Sequence, residues 1–111
     1  MPTPKIDSRV SPAMLHILLA LAEEEVLHGY SIMRTIEART EGRVEVGPGT
    51  LYRTLGHLLD RGWIEEVPGE DGAKRRYSLT PAGRAVASRE ARSLSALVEW
   101  AKTSDLLAEA D

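Results

Sequence analysis

Apolar residues recur at helical spacing in four stretches of this chain, and two short runs between them are β-prone. From Ser11 onward, Leu15, Leu18, Leu19 and Ala22 fall three and four apart, the spacing that lines one face of a helix. Ser11-Pro12 marks the start, a cap residue followed by proline at the first helical position, and the pattern predicts a helix to about Glu25. Its end, Glu23-Glu24-Glu25, puts acid at the negative pole of the helix dipole. That implies an early stop or outward-facing carboxylates. His28-Gly29 breaks the chain, and a second helix is predicted over about Tyr30–Arg39 with Ile32, Met33 and Ile36 inward. Residues 40–47 form a turn, with Val44–Val46 as a short strand, and Tyr30 is expected in the core.

A third helix opens on Gly47-Pro48 and closes at Gly62, a residue suited to the left-handed position after a helix. Trp63–Val67 and Arg75–Leu79 are the β-prone runs, joined by the hairpin signal PGEDGAK. Trp63, at the start of the first run, is assigned to anchoring the hairpin. Thr80-Pro81 repeats the cap-plus-proline signature, and the helix after it runs to about Thr103, roughly 34 Å at 1.5 Å per residue. The order helix, helix, helix, hairpin, long helix is mainly α with a small β-hairpin. It is the layout of a winged helix-turn-helix followed by a long C-terminal dimerisation helix. The chain divides into a flexible N-terminal arm at 1–10, a winged helix-turn-helix domain at 11–80 and the C-terminal helix and tail at 81–111.

Composition narrows the function. At 111 residues the default is a single domain, and 42% hydrophobic with 28% charged residues is ordinary for a folded globular chain. There are no cysteines, which excludes disulfides and thiolate metal sites. His16, His28 and His57 are scattered, no GxSxG or phosphate-loop motif occurs, and the carboxylates fall in solvated runs. Neither an enzyme nor a metal or cofactor site is therefore expected. The longest apolar run, Ala13–Ala22, is interrupted by His16 and is too short to cross a bilayer, so the expectation is a cytoplasmic protein without membrane contact. The net charge of −3 argues against nucleic acid, but residues 48–84 carry six basic and five acidic groups, the least acidic third of the chain.

That middle segment holds the candidate reading surface. On a helical wheel Leu51, Leu55, Leu58 and Leu59 share one stripe, while Arg53, His57 and Asp60 lie opposite with Gly49 and Gly56 beside them. A helix in the DNA major groove needs an apolar back to dock on its own domain and hydrogen-bonding groups near its N-terminus. Two glycines in one helix cost roughly 1 kcal/mol each against alanine. Selection for stability alone disfavours them, and small residues allow close approach. Lys74-Arg75-Arg76 follows the hairpin turn, where long basic side chains reach a phosphate backbone. Glu70-Asp71 at the tip partly offset it.

The succession ILLALAEEEVLHGYSI, GPGTLYRTLGHLLDRGWIEE and KRRYSLTPAG resembles the PadR family of bacterial transcriptional regulators, over about Ser11 to Arg84. The resemblance implies a winged-helix homodimer that represses a promoter until an effector binds. Thr50, Tyr52 and Arg53 on the third helix would then face double-stranded DNA, together with His57 on the same polar face. Lys74 and Arg75 would lie on the wing. Gly47 departs from the family's frequent polar cap, which puts one helix-start phosphate contact in doubt.

The last helix overhangs a domain this small, so its apolar side needs a partner. Val86, Leu94, Leu97, Val98 and Ala101 are the expected dimerisation residues, and twofold symmetry suits a palindromic operator. Some short members of the family bind flat hydrophobic ligands at the dimer centre, between aromatic residues of this helix. By that resemblance Trp100, with Leu97, would receive a small planar aromatic or phenolic effector, and plain dimer packing is the alternative role for Trp100. The rival class is a winged helix that binds protein without specific DNA binding, favoured by the acidic net charge and by Asp60.

Overall fold

A computed structural model describes residues 10–69 and 75–107. Seven elements follow in order: α1 (Pro12–Glu23), β1 (Leu27–His28), α2 (Gly29–Arg39), α3 (Pro48–Asp60), β2 (Ile64–Val67), β3 (Arg76–Leu79) and α4 (Pro81–Thr103). The helices begin where the caps predict. Ser11 Oγ accepts the Met14 N–H at 3.1 Å and Thr80 Oγ1 accepts the Gly83 N–H at 3.0 Å. α3 ends on Gly62 at φ 74°, with Gly62 N–H donating to Leu59 O and Trp63 N–H to Leu58 O, the paired bonds of a Schellman turn.

All four helices and one face of the sheet enclose a single core, to which α4 adds Val86 and Ala87. α1 contributes Ile17, Leu18 and Leu21, α2 contributes Ile32 and Ile36, and α3 contributes Leu51, Leu55 and Leu58. Trp63, Ile64 and Tyr77 close it from the sheet side. The base of α4 locks onto this body by backbone contact. A Cβ on Gly83 would lie 1.8 Å from the Trp63 carbonyl oxygen, so a glycine is required there. Thr80 fastens the same corner by donating through Oγ1 to Gly62 O at 2.6 Å.

α1 stops at Glu23, the early stop that acid at its negative pole implies, and Glu23, Glu24 and Glu25 are all exposed. Three expectations need correction. Val44–Val46 is not a strand. Thr40 Oγ1 accepts the Val44 N–H at 3.1 Å, a local side-chain bond in place of a strand partner. The third strand is Leu27–His28, which pairs antiparallel with β3 through Leu27↔Tyr77 and His28↔Arg76, in the order β1-β3-β2. It covers an edge of β3 that would otherwise be open. Tyr30 is no core residue: it stands 60% exposed on α2. Val86, expected at a dimer face, is 5% exposed and belongs to the chain's own core. Of the N-terminal arm, Val10 is described and packs against the core, and residues 1–9 lie outside the described residues.

Candidate nucleic-acid interface

α3 has a closed back and an open front. Leu51, Leu55 and Leu58 are at most 1% exposed, and Leu59 is half-buried beside them. The front presents half-buried Thr50 and exposed Arg53 and His57, at positions i, i+3 and i+7 of one helix face. Arg53 Nη2 lies 3.5 Å from Thr50 Oγ1, a long contact that leaves the guanidinium's other donors unused by the domain. Asp60 is exposed at the far end of the helix, removed from its N-terminal half.

The glycines mark this front as a surface. A Cβ built at Gly47, Gly49 or Gly56 would meet no atom within 4 Å. Packing within the chain therefore does not require glycine at any of the three. Helix propensity opposes Gly49 and Gly56. What they provide is a bare stretch of backbone facing outward.

Tyr52 is exposed at 53% and leans across to α2. A Cβ on Gly29, the first residue of α2, would sit 2.6 Å from the Tyr52 hydroxyl oxygen. Glycine at 29 therefore lets the ring bridge the two helices. Beside it Tyr30 stacks under Arg34, whose guanidinium carbon lies 5.7 Å from the ring centroid. The sequence reading missed this pair. Its signal in the sequence is an aromatic and an arginine four apart on one helix, which the expectation of a buried Tyr30 obscures. Thr54 was also missed, a polar residue buried at 7% on the flank of α3.

On the wing, Arg75 Nε reaches Glu66 Oε2 at 3.3 Å across the strand pair, and Arg76 Nη2 donates to Pro68 O at 2.7 Å. The basic charge expected there is thus partly engaged by the wing itself. Lys74 lies outside the described residues. Tyr77, in the middle strand, is pushed above the usual tyrosine range, first by burial and then by the Glu66 carboxylate, with Arg75 opposing.

The outer part of α4 is apolar and open. Leu94 is 46% exposed, Leu97 54%, Val98 43% and Trp100 69%, while Ala101 is half-buried. Trp100 and Leu97, the expected effector residues, line an open recess of about 220 Å³ with Ala101, Ser104 and Leu106. Among the described residues no group of His, Asp and Glu side chains gathers to hold a metal ion, and no helix is long and apolar enough to cross a membrane.

The body of three helices, the β-hairpin wing and an outward-facing α3 define a winged-helix regulator. The chain belongs to the PadR-like family of transcriptional regulators, whose model matches residues 17–89. Such regulators are not enzymes. It is 44% identical over 85 residues to the transcriptional regulator Rv3488 of Mycobacterium tuberculosis, covering 75% of this chain and 76% of that protein. It is also 39% identical over 89 residues, 80% of this chain, to an uncharacterized 37.1 kDa protein in transposon TN4556 of Streptomyces fradiae. The chain spans 25% of that protein and 32% of a further curated relative. A MarR variant from Escherichia coli, solved in complex with operator DNA, shares the fold at a TM-score of 0.61. It is 20% identical over 74% of this chain and 54% of that one.

Proposed function

We propose that this chain is a sequence-specific DNA-binding repressor, acting in the cytoplasm as a homodimer and released from its operator by a small planar aromatic or phenolic effector. The observation that carries the reading is the front of α3, where three glycines that nothing in the fold requires flank Thr50, Arg53 and His57. Bare backbone beside hydrogen-bonding side chains suits close approach to base edges in a major groove. Arg53 reads a base and Thr50, Tyr52 and His57 assist. Arg75 and Lys74 meet the phosphate backbone from the wing. A MarR variant of the same fold has been solved with operator DNA, which supports DNA as the partner class.

Dimerisation falls to the open stripe of α4, with Leu94, Leu97, Val98 and Ala101 meeting their symmetry mates. Trp100 of each copy then stands close to the twofold axis, where paired indoles sandwich a flat ligand. Selection of bound sequences from a random duplex pool at near-physiological salt tests the DNA reading. The expected product is an enriched inverted repeat with half-sites about one helical turn apart. A folded dimer that enriches nothing would overturn it in favour of a protein-binding module.

A further inference from the structure

The two described arginines of the wing sit on opposite faces of the sheet. In the β2–β3 ladder Glu66 stands opposite Tyr77, and Val67 opposite Arg76. Side chains alternate along a strand, so Arg75, two residues before Tyr77, shares the face of Tyr77 and Glu66. That face is the inner one, since Ile64 and Tyr77 on it belong to the core. Arg76 lies on the other face and donates to Pro68 O. The Tyr77 hydroxyl places Arg75 more closely. Arg75 hydrogen-bonds it, while Glu66 and Tyr52 of α3 both push it towards its neutral form. The Arg75–Glu66 pair therefore lies at the seam between the wing and α3.

The form of the ion pair leaves Arg75 able to bind something else. Glu66 Oε2 meets Arg75 at Nε, 3.3 Å away, on the lateral edge of the guanidinium. The outer edge, formed by the two Nη groups, is one that matches a phosphate in a bidentate pair. Both side chains are exposed, so the pair itself adds little to folding. An arginine with no anchor, however, gives up rotamer freedom when it binds.

We propose that Glu66 is a positioning residue for DNA binding: by holding Arg75 Nε it aims the outer edge of the guanidinium at a backbone phosphate beside the groove that α3 enters. This rests on the reading of α3 as the DNA-binding helix and of Arg75 as a phosphate contact. The anchor orders Arg75 in the free protein, so less freedom is lost in the complex. DNA repels the Glu66 carboxylate, but exposure and salt weaken that repulsion, and the anchoring outweighs it. The consequence runs against charge counting, because taking an acid off the wing weakens binding.

The test uses the full chain, the duplex recovered from the random pool and a scrambled duplex of equal length, at near-physiological salt. Glu66→Ala lowers affinity for both duplexes by about threefold to tenfold, with sequence preference as in the parent. Glu66→Gln keeps an acceptor for Nε and restores affinity to the parent's level or above. With Arg75→Ala already in place, Glu66→Ala no longer weakens binding. The plot of log affinity against log salt is then flatter than the parent's by about 0.9 per copy of Arg75. Both positions are exposed, and unchanged thermal unfolding confirms that the variants fold. If Glu66→Ala binds as tightly as the parent or more tightly, while Arg53→Ala relaxes base preference, the positioning role is overturned and the reading of α3 stands. If Glu66→Ala weakens binding equally with and without Arg75, its effect does not pass through Arg75, and the proposal is overturned in that case too. If the parent enriches no duplex, this proposal and the DNA reading fall together.

Discussion

α3 and α4 are both amphipathic, and both start on a proline behind a non-helical cap. Yet they complete themselves in different ways. α3 buries most of its apolar stripe in its own chain, with Leu51, Leu55 and Leu58 at 0–1% exposure and Leu59 half-buried. What it leaves open is polar and glycine-rich. α4 buries Gly83, Val86 and Ala87 near its base and then runs on with Leu94, Leu97, Val98 and Trp100 in solvent. An open polar face suits a polar, charged partner, whereas an open apolar face suits a second apolar surface. Two helices with similar patterns are thus directed to different partners by which of their faces the fold uses.

The junction between them is the place to break that division. Gly83→Ala forces a methyl into the Trp63 carbonyl and detaches α4 from the wing. We expect a loss of more than about 3 kcal/mol, with DNA binding and dimerisation failing together, read by denaturant unfolding and sedimentation. Next in size is a contrast of leucines. Leu55→Ala leaves a cavity under α3 and costs about 3 kcal/mol of folding stability. Leu97→Ala, on the open half of α4, changes the stability of the folded monomer by less than about 0.5 kcal/mol and acts on the dimer instead. Equal losses of folding stability at the two positions would erase the distinction.

A smaller effect has opposite signs in two assays. Gly56→Ala meets open space and gains helix propensity, so the fold becomes more stable by about 0.5–1 kcal/mol. On the proposed reading surface, the same methyl stands where a duplex approaches, and affinity for the selected operator falls. A variant that is more stable and binds DNA as well as the parent would remove Gly56 from the interface.

Much of this architecture was legible before any coordinates. The caps at Ser11 and Thr80, the prolines after them and the glycine at 62 are local signals, and each set a boundary within a residue or two. The leucines of α3 follow from periodicity alone. What failed was non-local. Leu27–His28 becomes a strand because β3 needs an edge partner, and two residues carry no pattern that announces it. Tyr30 was placed inside since aromatics bury well, and only tertiary geometry shows Tyr52 and Leu51 occupying the space beside Gly29. Val86 fits the α4 stripe on a wheel, yet it is consumed by the core because the base of the helix docks there. Periodicity finds an apolar face but cannot say how far along the helix the chain itself covers it.

The smallest prediction concerns the strand between the two regions. Tyr77 pairs with Leu27 of β1 and Glu66 of β2, in the strand that leads into α4. Burial raises its pKa, with Glu66 adding to the effect. A phenol whose folded value lies above its unfolded value of about 10 contributes stability that is fully present below that pH. Above it the unfolded chain ionises first, and the contribution is lost as pH rises towards the folded value. Alkaline titration of unfolding should therefore show declining stability above about pH 10, and Tyr77→Phe should flatten that decline. Because Tyr77 is shared, the melting of α4 and of the α3 core should shift together in this range. A decline unchanged in Tyr77→Phe would remove Tyr77 as its source and release the sheet from its linking role.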